Sequence, residues 1–268
     1  MDVCFLRMYG NEPYKVVVVH GGPGAAGEVA PVARELGASR GVLEPMHVAM
    51  SVDGQVEELK AVLENHADLP ATLIGHSWGA WLCFILAAKH PALVKKLILV
   101  ASGPFEEKYA IEIQETRMRR LDENQREEFA SILAILDDPL SSEKDRAFAR
   151  LGELISAADA YDRIPPSQEE LDAMQEVHPS NAVFNAVWPE AAALRRGGKL
   201  LAFGKKITCP VVAIHGDHDP HPAEGVRVPL SRVLKDFKFI LLDHCGHEPW
   251  LERQAKERFF EILEQELQ

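Results

Sequence analysis

The chain has 268 residues, 47% of them hydrophobic, which is enough for one large core carrying an inserted subdomain. Its 29 basic and 41 acidic side chains leave a net charge of −12, which argues against the basic stripe of a nucleic-acid binder. No apolar run reaches bilayer length, and Met1-Asp2-Val3-Cys4-Phe5 lacks the basic start and long apolar stretch of a secretory signal.

In chain order, residues 3–9 read as a strand and Gly10-Asn11-Glu12-Pro13 as a turn. Val16-Val17-Val18-Val19 is a β-branched strand running into His20-Gly21-Gly22-Pro23-Gly24. A helix is expected around residues 28–36 and a short strand at 41–43. A second, amphipathic helix is expected over 56–64, with Val56, Leu59, Val62 and Leu63 on one face. Ala71-Thr72-Leu73-Ile74 reads as a buried strand, residues 80–90 as an apolar helix stopped by Pro91, and 96–100 as another buried strand. Such alternation implies a mostly parallel sheet with helices on both faces.

Residues 105–206 change character. Strand signals vanish, charged helical stretches cover 106–121, 123–136 and 142–158, and turns fall at Asp138-Pro139, Ile164-Pro165-Pro166-Ser167 and Arg196-Gly197-Gly198. This block reads as a helical cap, and residues 1–104 with 207–268 as the core around it. Tyr109, Phe148, Tyr161, Phe184 and Trp188 are its aromatics, expected mainly in the cap's own packing. Strand and helix signals then resume, ending in an amphipathic helix over 251–267. The four cysteines, Cys4, Cys83, Cys209 and Cys245, form no Cys-x-x-Cys pair and read as reduced thiols of a cytoplasmic protein.

The densest chemical signal is Gly75-His76-Ser77-Trp78-Gly79, set between a buried strand and an apolar helix. In that setting Gly-x-Ser-x-Gly means a nucleophile elbow, a sharp turn that exposes a serine above the sheet. The Gly-rich loop after residues 16–19 can turn backbone N–H groups toward a developing negative charge. A phosphate loop is disfavoured there, because no Gly-Lys-Ser/Thr follows and the spacing is not Gly-x-Gly-x-x-Gly. Two further strands end in polar turns: Val211-Val212-Ala213-Ile214 runs into His215-Gly216-Asp217-His218-Asp219-Pro220. Phe239-Ile240-Leu241-Leu242 runs into Asp243-His244-Cys245-Gly246-His247. Serine, acid, histidine in that chain order is one arrangement of a hydrolytic triad. From the residues alone the acid is Asp217, Asp219 or Asp243, and the base is His247 or His244.

These motifs resemble the α/β-hydrolase-fold serine hydrolases over nearly the whole chain, and His-Gly-Gly-Pro-Gly with Gly-x-Ser-Trp-Gly is most similar to the proline-iminopeptidase-like and carboxylesterase branch. The resemblance implies Ser77 as nucleophile and His247, in the family's Gly-His pattern, as base. It also implies Asp219 as acid, three residues past the strand-terminal Gly216, and the backbone N–H groups of Gly22 and Trp78 as oxyanion hole. Two departures are visible. The strand bearing the oxyanion loop begins at Val16, which leaves room for one strand ahead of it and a sheet of about seven strands. Glu44-Pro45-Met46-His47 also stands where many relatives have an Asp-x-x-Gly or Asp-x-Arg-Gly turn.

The expected chemistry is hydrolysis of a small-molecule carboxylic ester through an acyl-enzyme, with no cofactor and no metal. His215, His218 and His221 with Asp217 and Asp219 lack zinc-site spacing, and Pro220 and Pro222 break regular geometry. The alternatives are an aminopeptidase removing N-terminal proline, a carbon–carbon bond hydrolase, and a non-catalytic receptor on the same fold. The aminopeptidase would need acidic cap residues for the substrate amine, with Glu153, Asp159, Asp162, Glu176 and Glu190 as candidates. A neutral base is required in each hydrolytic case, so an ordinary histidine predicts a rate falling below about pH 6–7.

Overall fold

The computed structural model describes residues 5–165 and 179–268; Cys4, the Pro166-Ser167 turn signal and Glu176 lie outside them. Seven strands form one sheet in the order β1-β3-β2-β4-β5-β6-β7. They are β1 (Phe5–Tyr9), β2 (Tyr14–Val19), β3 (Gly41–Met46), β4 (Ala71–His76), β5 (Val94–Val100), β6 (Val211–Gly216) and β7 (Phe237–Leu242). Only β1 is antiparallel to its neighbour, and β2 to β7 pair in parallel.

The strand sequences divide between two cores by simple alternation, since successive side chains leave opposite faces of a strand. Val17, Val19, Leu73, Leu97, Leu99, Val211 and Ala213 enter one core. Val16, Val18, Ile74, Ile98, Val100, Val212 and Ile214 enter the other. On the second face lie α1 (Ala30–Gly37) and the C-terminal α10 (Lys256–Glu266), through Val32, Leu36, Phe259 and Leu263. On the first face lie α2 (Val52–His66) and α3 (Trp78–Lys89). Every residue of α3 except Lys89 is buried, as an all-round apolar helix requires.

Several sequence expectations change on folding, and the helix expected over 106–121 is reduced to Ile113–Arg120 after a 3₁₀ turn at Glu107–Tyr109. The short strand expected at 41–43 runs on to Met46, because β1 pairs with it through Leu6↔Pro45 and Phe5↔Met46. That partner lies far back in the chain, beyond a local propensity argument. The terminal helix starts at Lys256 rather than 251, since Pro249–Leu251 forms a separate turn of 3₁₀ helix.

The helical insert follows β5. Helices α4 (Ile113–Arg120), α5 (Glu123–Asp137) and α6 (Lys144–Asp159) close a small core of their own around Leu121, Phe129, Ile132 and Leu154. Asp122 begins α5 with a capping box, its side chain accepting from Gln125 N–H at 2.9 Å while Gln125 Oε1 accepts from Asp122 N–H. Helices α7 (Asn181–Arg196) and α8 (Lys199–Phe203) behave differently, because Val183, Val187, Ala191 and Leu200 join the main core beside α3. The last helix before β7 is α9 (Glu224–Val233). No helix among the described residues is long and apolar enough to cross a membrane.

Candidate active site

The C-terminal ends of β2, β4, β6 and β7 gather the polar turns singled out in the sequence. Ser77 carries the chain from β4 into α3 with φ 52° and ψ −111°. For a non-glycine residue that conformation costs about 1–3 kcal/mol, so the surroundings must hold it. Its N–H donates to Val100 O at 3.0 Å, tying the turn to the end of β5. The flanking glycines allow the crossing. A Cβ on Gly75 would strike the Gly79 carbonyl, and one on Gly79 would strike the carbonyls of Val19 at the end of β2 and of His20 just past it. Gly79→Ala is therefore expected to force β2 aside, costing about 3 kcal/mol and about 6–12 °C in Tm, readable by thermal melting.

Trp78 opens α3, so its N–H has no carbonyl one turn earlier within the helix to receive it. Its indole Nε1–H donates to Gln55 Oε1 at 2.9 Å, which locks the side chain in the core. The Gly-rich loop passes close by: a Cβ on Gly21 would lie 3.2 Å from the Ser77 Cβ. His20 braces this loop. Burial, then the neighbouring His47, pushes it down to about 4, so the ring is neutral. Its Nδ1 lies 2.8 Å from Gly21 O, and its Nε2 accepts from His47 N–H at 3.3 Å. That pairing makes Nδ1 the protonated nitrogen. From the insert side, Ser180 N–H donates to Gly24 O at 2.9 Å.

Glu28 and His76 join this loop to the histidine turn, and neither stood out as a site residue in the sequence. Glu28 Oε2 accepts from Gly21 N–H at 2.8 Å, while Oε1 lies 2.9 Å from His76 Nδ1. Burial opposes charge on Glu28, but the attraction and hydrogen bond of His76, with the attractions of His247 and His20, together outweigh it and hold the carboxyl below its usual range. His76 Nε2 donates to the backbone O of His247 at 3.0 Å, and the ring stands edge-on to Trp250. A carboxylate shortly after a Gly-rich loop was the available signal for Glu28.

Asp219, His247 and a further histidine, His221, meet at one carboxylate. His247 Nδ1 donates to Asp219 Oδ2 at 2.8 Å. His221 Nδ1 donates to Oδ1 at 2.7 Å, and His221 N–H reaches the same oxygen at 2.9 Å. Burial alone would raise Asp219, but the attraction of His247, His221 and His215 holds it well below the usual carboxylate range. Among the described residues these three are also the one His/Cys/carboxylate group whose donor atoms fall within 4.8 Å of each other. Both Nδ1 atoms are turned to the carboxylate, so the cluster is closed by its own hydrogen bonds.

The rival residues stand elsewhere. Exposed Asp217 accepts from Cys245 N–H at 3.0 Å and braces the histidine turn. Asp243 and His244 are exposed, and His244, with φ 54°, sits against Tyr161. His218 packs on Tyr161, and its carbonyl accepts from Arg120 at 2.8 Å. The insert grips both turns at this point. Arg117 of α4 chelates buried Asp159 at 2.6–3.1 Å, and Asp159 O accepts from His247 N–H at 3.2 Å. Three of the insert's aromatics form a row over α3: Trp81 stacks on Trp188 at 6.0 Å, Trp188 on Phe184 at 5.9 Å, and Phe184 meets Phe148 at 5.1 Å.

Strand order, a left-handed serine between β4 and α3, and polar turns past β6 and β7 converge on one fold, and the family described as alpha/beta hydrolase fold matches residues 43–254. The chain belongs to this family. Among solved structures it resembles VinJ, with a TM-score of 0.70 and 19% identity over 98% of this chain and 93% of that one. A proline iminopeptidase from Mycobacterium smegmatis gives 0.63 and 18% over 98% and 93%. Est816, described as an N-acyl homoserine lactone degrading enzyme, gives 0.63 and 16% over 97% and 95%. At such identities the likeness is one of fold. No curated protein sequence matches the chain.

Proposed function

We propose that this α/β hydrolase is a serine carboxylesterase acting on small to medium carboxylic esters. The observation carrying the reading is the 2.8 Å hydrogen bond from His247 Nδ1 to buried Asp219, with Ser77 held on a strained elbow and the ring of its neighbour His76 4.8 Å from that of His247. Ser77 Oγ attacks the ester carbonyl carbon while His247 Nε2 takes the hydroxyl proton. The carbonyl oxygen becomes an oxyanion facing the N–H groups of Trp78 and Gly22, each such donor being worth about 2.7–4 kcal/mol of barrier. Gly21 N–H is already spent on Glu28, which favours Gly22 as the loop's donor. The imidazolium returns its proton to the departing alkoxide. Water, deprotonated by the same ring, then releases the acid and restores Ser77.

Two features favour an ester over a peptide with a free amine. Among the described residues, the four acids of residues 105–206 expected to meet such an amine have other partners. Glu153 pairs with Arg150, Asp159 with Arg117 and Asp162 with Arg253, and Glu190 accepts from Val52 N–H. The aromatic row over α3 also suits an apolar acyl or alcohol group. Est816, of the same fold, is described as degrading an N-acyl homoserine lactone, a molecule that carries a cyclic ester.

Hydrolysis of p-nitrophenyl butyrate, with prolyl-p-nitroanilide in parallel, tests the reading. Turnover of the ester supports it, and turnover of the anilide alone overturns it. Its pH profile is a further expected result. Burial disfavours a charged His247 ring, but the attraction and hydrogen bond of Asp219 outweigh that cost and push it up to about 9. The base acts when neutral, so kcat/KM should rise with pH through a limb above the ordinary imidazole range, toward 9. A limb at or below about 6.5 would contradict this electrostatic picture.

A further inference from the structure

Serving one histidine takes one carboxylate oxygen, yet Asp219 serves two histidines. Its Oδ2 accepts from His247 at 2.8 Å, and its Oδ1 accepts both the ring and the backbone N–H of His221 at 2.7 and 2.9 Å. The two imidazoles pack on one another with centroids 4.5 Å apart and planes 30° apart. His221 is itself fixed. It lies between Pro220 and Pro222, and its carbonyl accepts from His215 Nε2 at 2.7 Å. We propose that His221 is a positioning residue of the hydrolytic reaction: by holding Oδ1 it fixes the plane of the Asp219 carboxylate and moderates that carboxylate's grip on the His247 proton. The inference rests on the reading of Ser77, His247 and Asp219 as the catalytic groups.

Hydrogen bonding at Oδ1 acts on the carboxylate in two ways. An aspartate's terminal torsion is broad and roughly two-fold, so one partner on one oxygen leaves the carboxylate free to swing. Two donors on Oδ1 remove that freedom and keep Oδ2 aimed at His247. Each donor also stabilises the carboxylate's negative charge, making it a weaker acceptor for the proton on His247 Nδ1. Without the ring donor, Asp219 would hold imidazolium more firmly and His247 would be neutral only at higher pH. Other groups face the cluster and stay in place in this comparison. From β6, His215 Nε2 lies 3.5 Å from Oδ2. Arg120 and Arg117 act from α4 and Asp159 from α6. The Glu28–His76 pair acts from the side of the Gly-rich loop. Burial, ahead of the attraction of Asp219, pushes His221 down to about 4, which makes it a neutral donor through the working range.

Two substitutions separate hydrogen bonding from packing. His221→Phe keeps a ring against His247 but has no donor; His221→Asn loses the ring but keeps an N–H near the Nδ1 position. The expected result is a kcat/KM limb moved up by about one pH unit in His221→Phe, with about ten-fold lower kcat/KM at pH 7. That loss should be recovered at pH values above the limb, and His221→Asn should stay near the wild-type profile. The opposite ranking, with Phe near wild type and Asn impaired, would make His221 a packing residue and overturn the proposal. So would an equal, pH-independent loss in both variants. So would a loss in His221→Asn as deep as in His247→Asn, since the two rings would then be interchangeable.

A measurement independent of turnover and of these variants' folding is imidazole ¹⁵N NMR of the histidine-labelled Ser77→Ala protein. The proposal requires both His221 and His247 to carry their neutral-state proton on Nδ1. His221 protonated on Nε2, or titrating near the free value of about 6.5, would overturn it. If Ser77→Ala still hydrolysed esters, the serine-hydrolase reading would fail on its own, while the spectra would still judge whether both rings bind Asp219.

Discussion

Replacing Ser77 with alanine is expected to lower kcat for p-nitrophenyl butyrate by about 10⁵–10⁶-fold while leaving Tm close to wild type. The size follows from the division of labour in the proposed reaction. Without the hydroxyl, His247 has no proton to take and no acyl-enzyme can form, so only binding and the oxyanion donors remain. Those retain about 10³–10⁴ over uncatalysed hydrolysis in comparable sites. Stability should barely move, because Ser77 holds its strained φ through its backbone N–H to Val100 O and through its glycine neighbours, all of which alanine preserves. A residual rate within about ten-fold of wild type would place the nucleophile elsewhere.

Asp219→Ala is expected to cost about 10⁴-fold in kcat. The carboxylate is buried and accepts from His247 and His221 together, so its loss strands two imidazole donors at once. His247 would lose both its fixed tautomer and the charge that stabilises its protonated form. The parallel variants decide among the three acids open in the sequence. Asp217→Ala removes an acceptor from Cys245 N–H and should cost no more than about ten-fold, through loosening of the histidine turn. Asp243→Ala, at an exposed position, should be nearly silent. Were Asp217→Ala the deeper loss, the acid would be misassigned despite the 2.8 Å contact at Asp219.

Much of this fold could be read from local pattern. The alternation of Val16 to Val19, the apolar run into Gly75, and the all-apolar α3 each encode their own burial, so seven strands and the elbow emerge without tertiary knowledge. What stayed hidden depends on distant partners. β3 extends past Pro45 because β1 lies beside it, and α7 joins the main core because Val187 and Ala191 meet α3. Glu28 and His76 matter through each other and through Gly21 and His247, contacts that no local window contains. His221 was visible only as a possible metal ligand. Its real signal was an aspartate followed two residues later by an N–H that folds back to it, the Asp219–His221 turn that brings the ring alongside.

The proposed reaction stands on Ser77 as a nucleophile activated by His247 and Asp219. Its most direct test is intact-mass analysis after reaction with a fluorophosphonate, followed by peptide mapping. One phosphonyl group per folded chain is expected, carried on the peptide containing Ser77. No uptake is expected by Ser77→Ala, slow uptake by Asp219→Ala and none by denatured protein. Stoichiometric labelling of Ser77→Ala, or a folded wild-type chain that stays unlabelled, would contradict it.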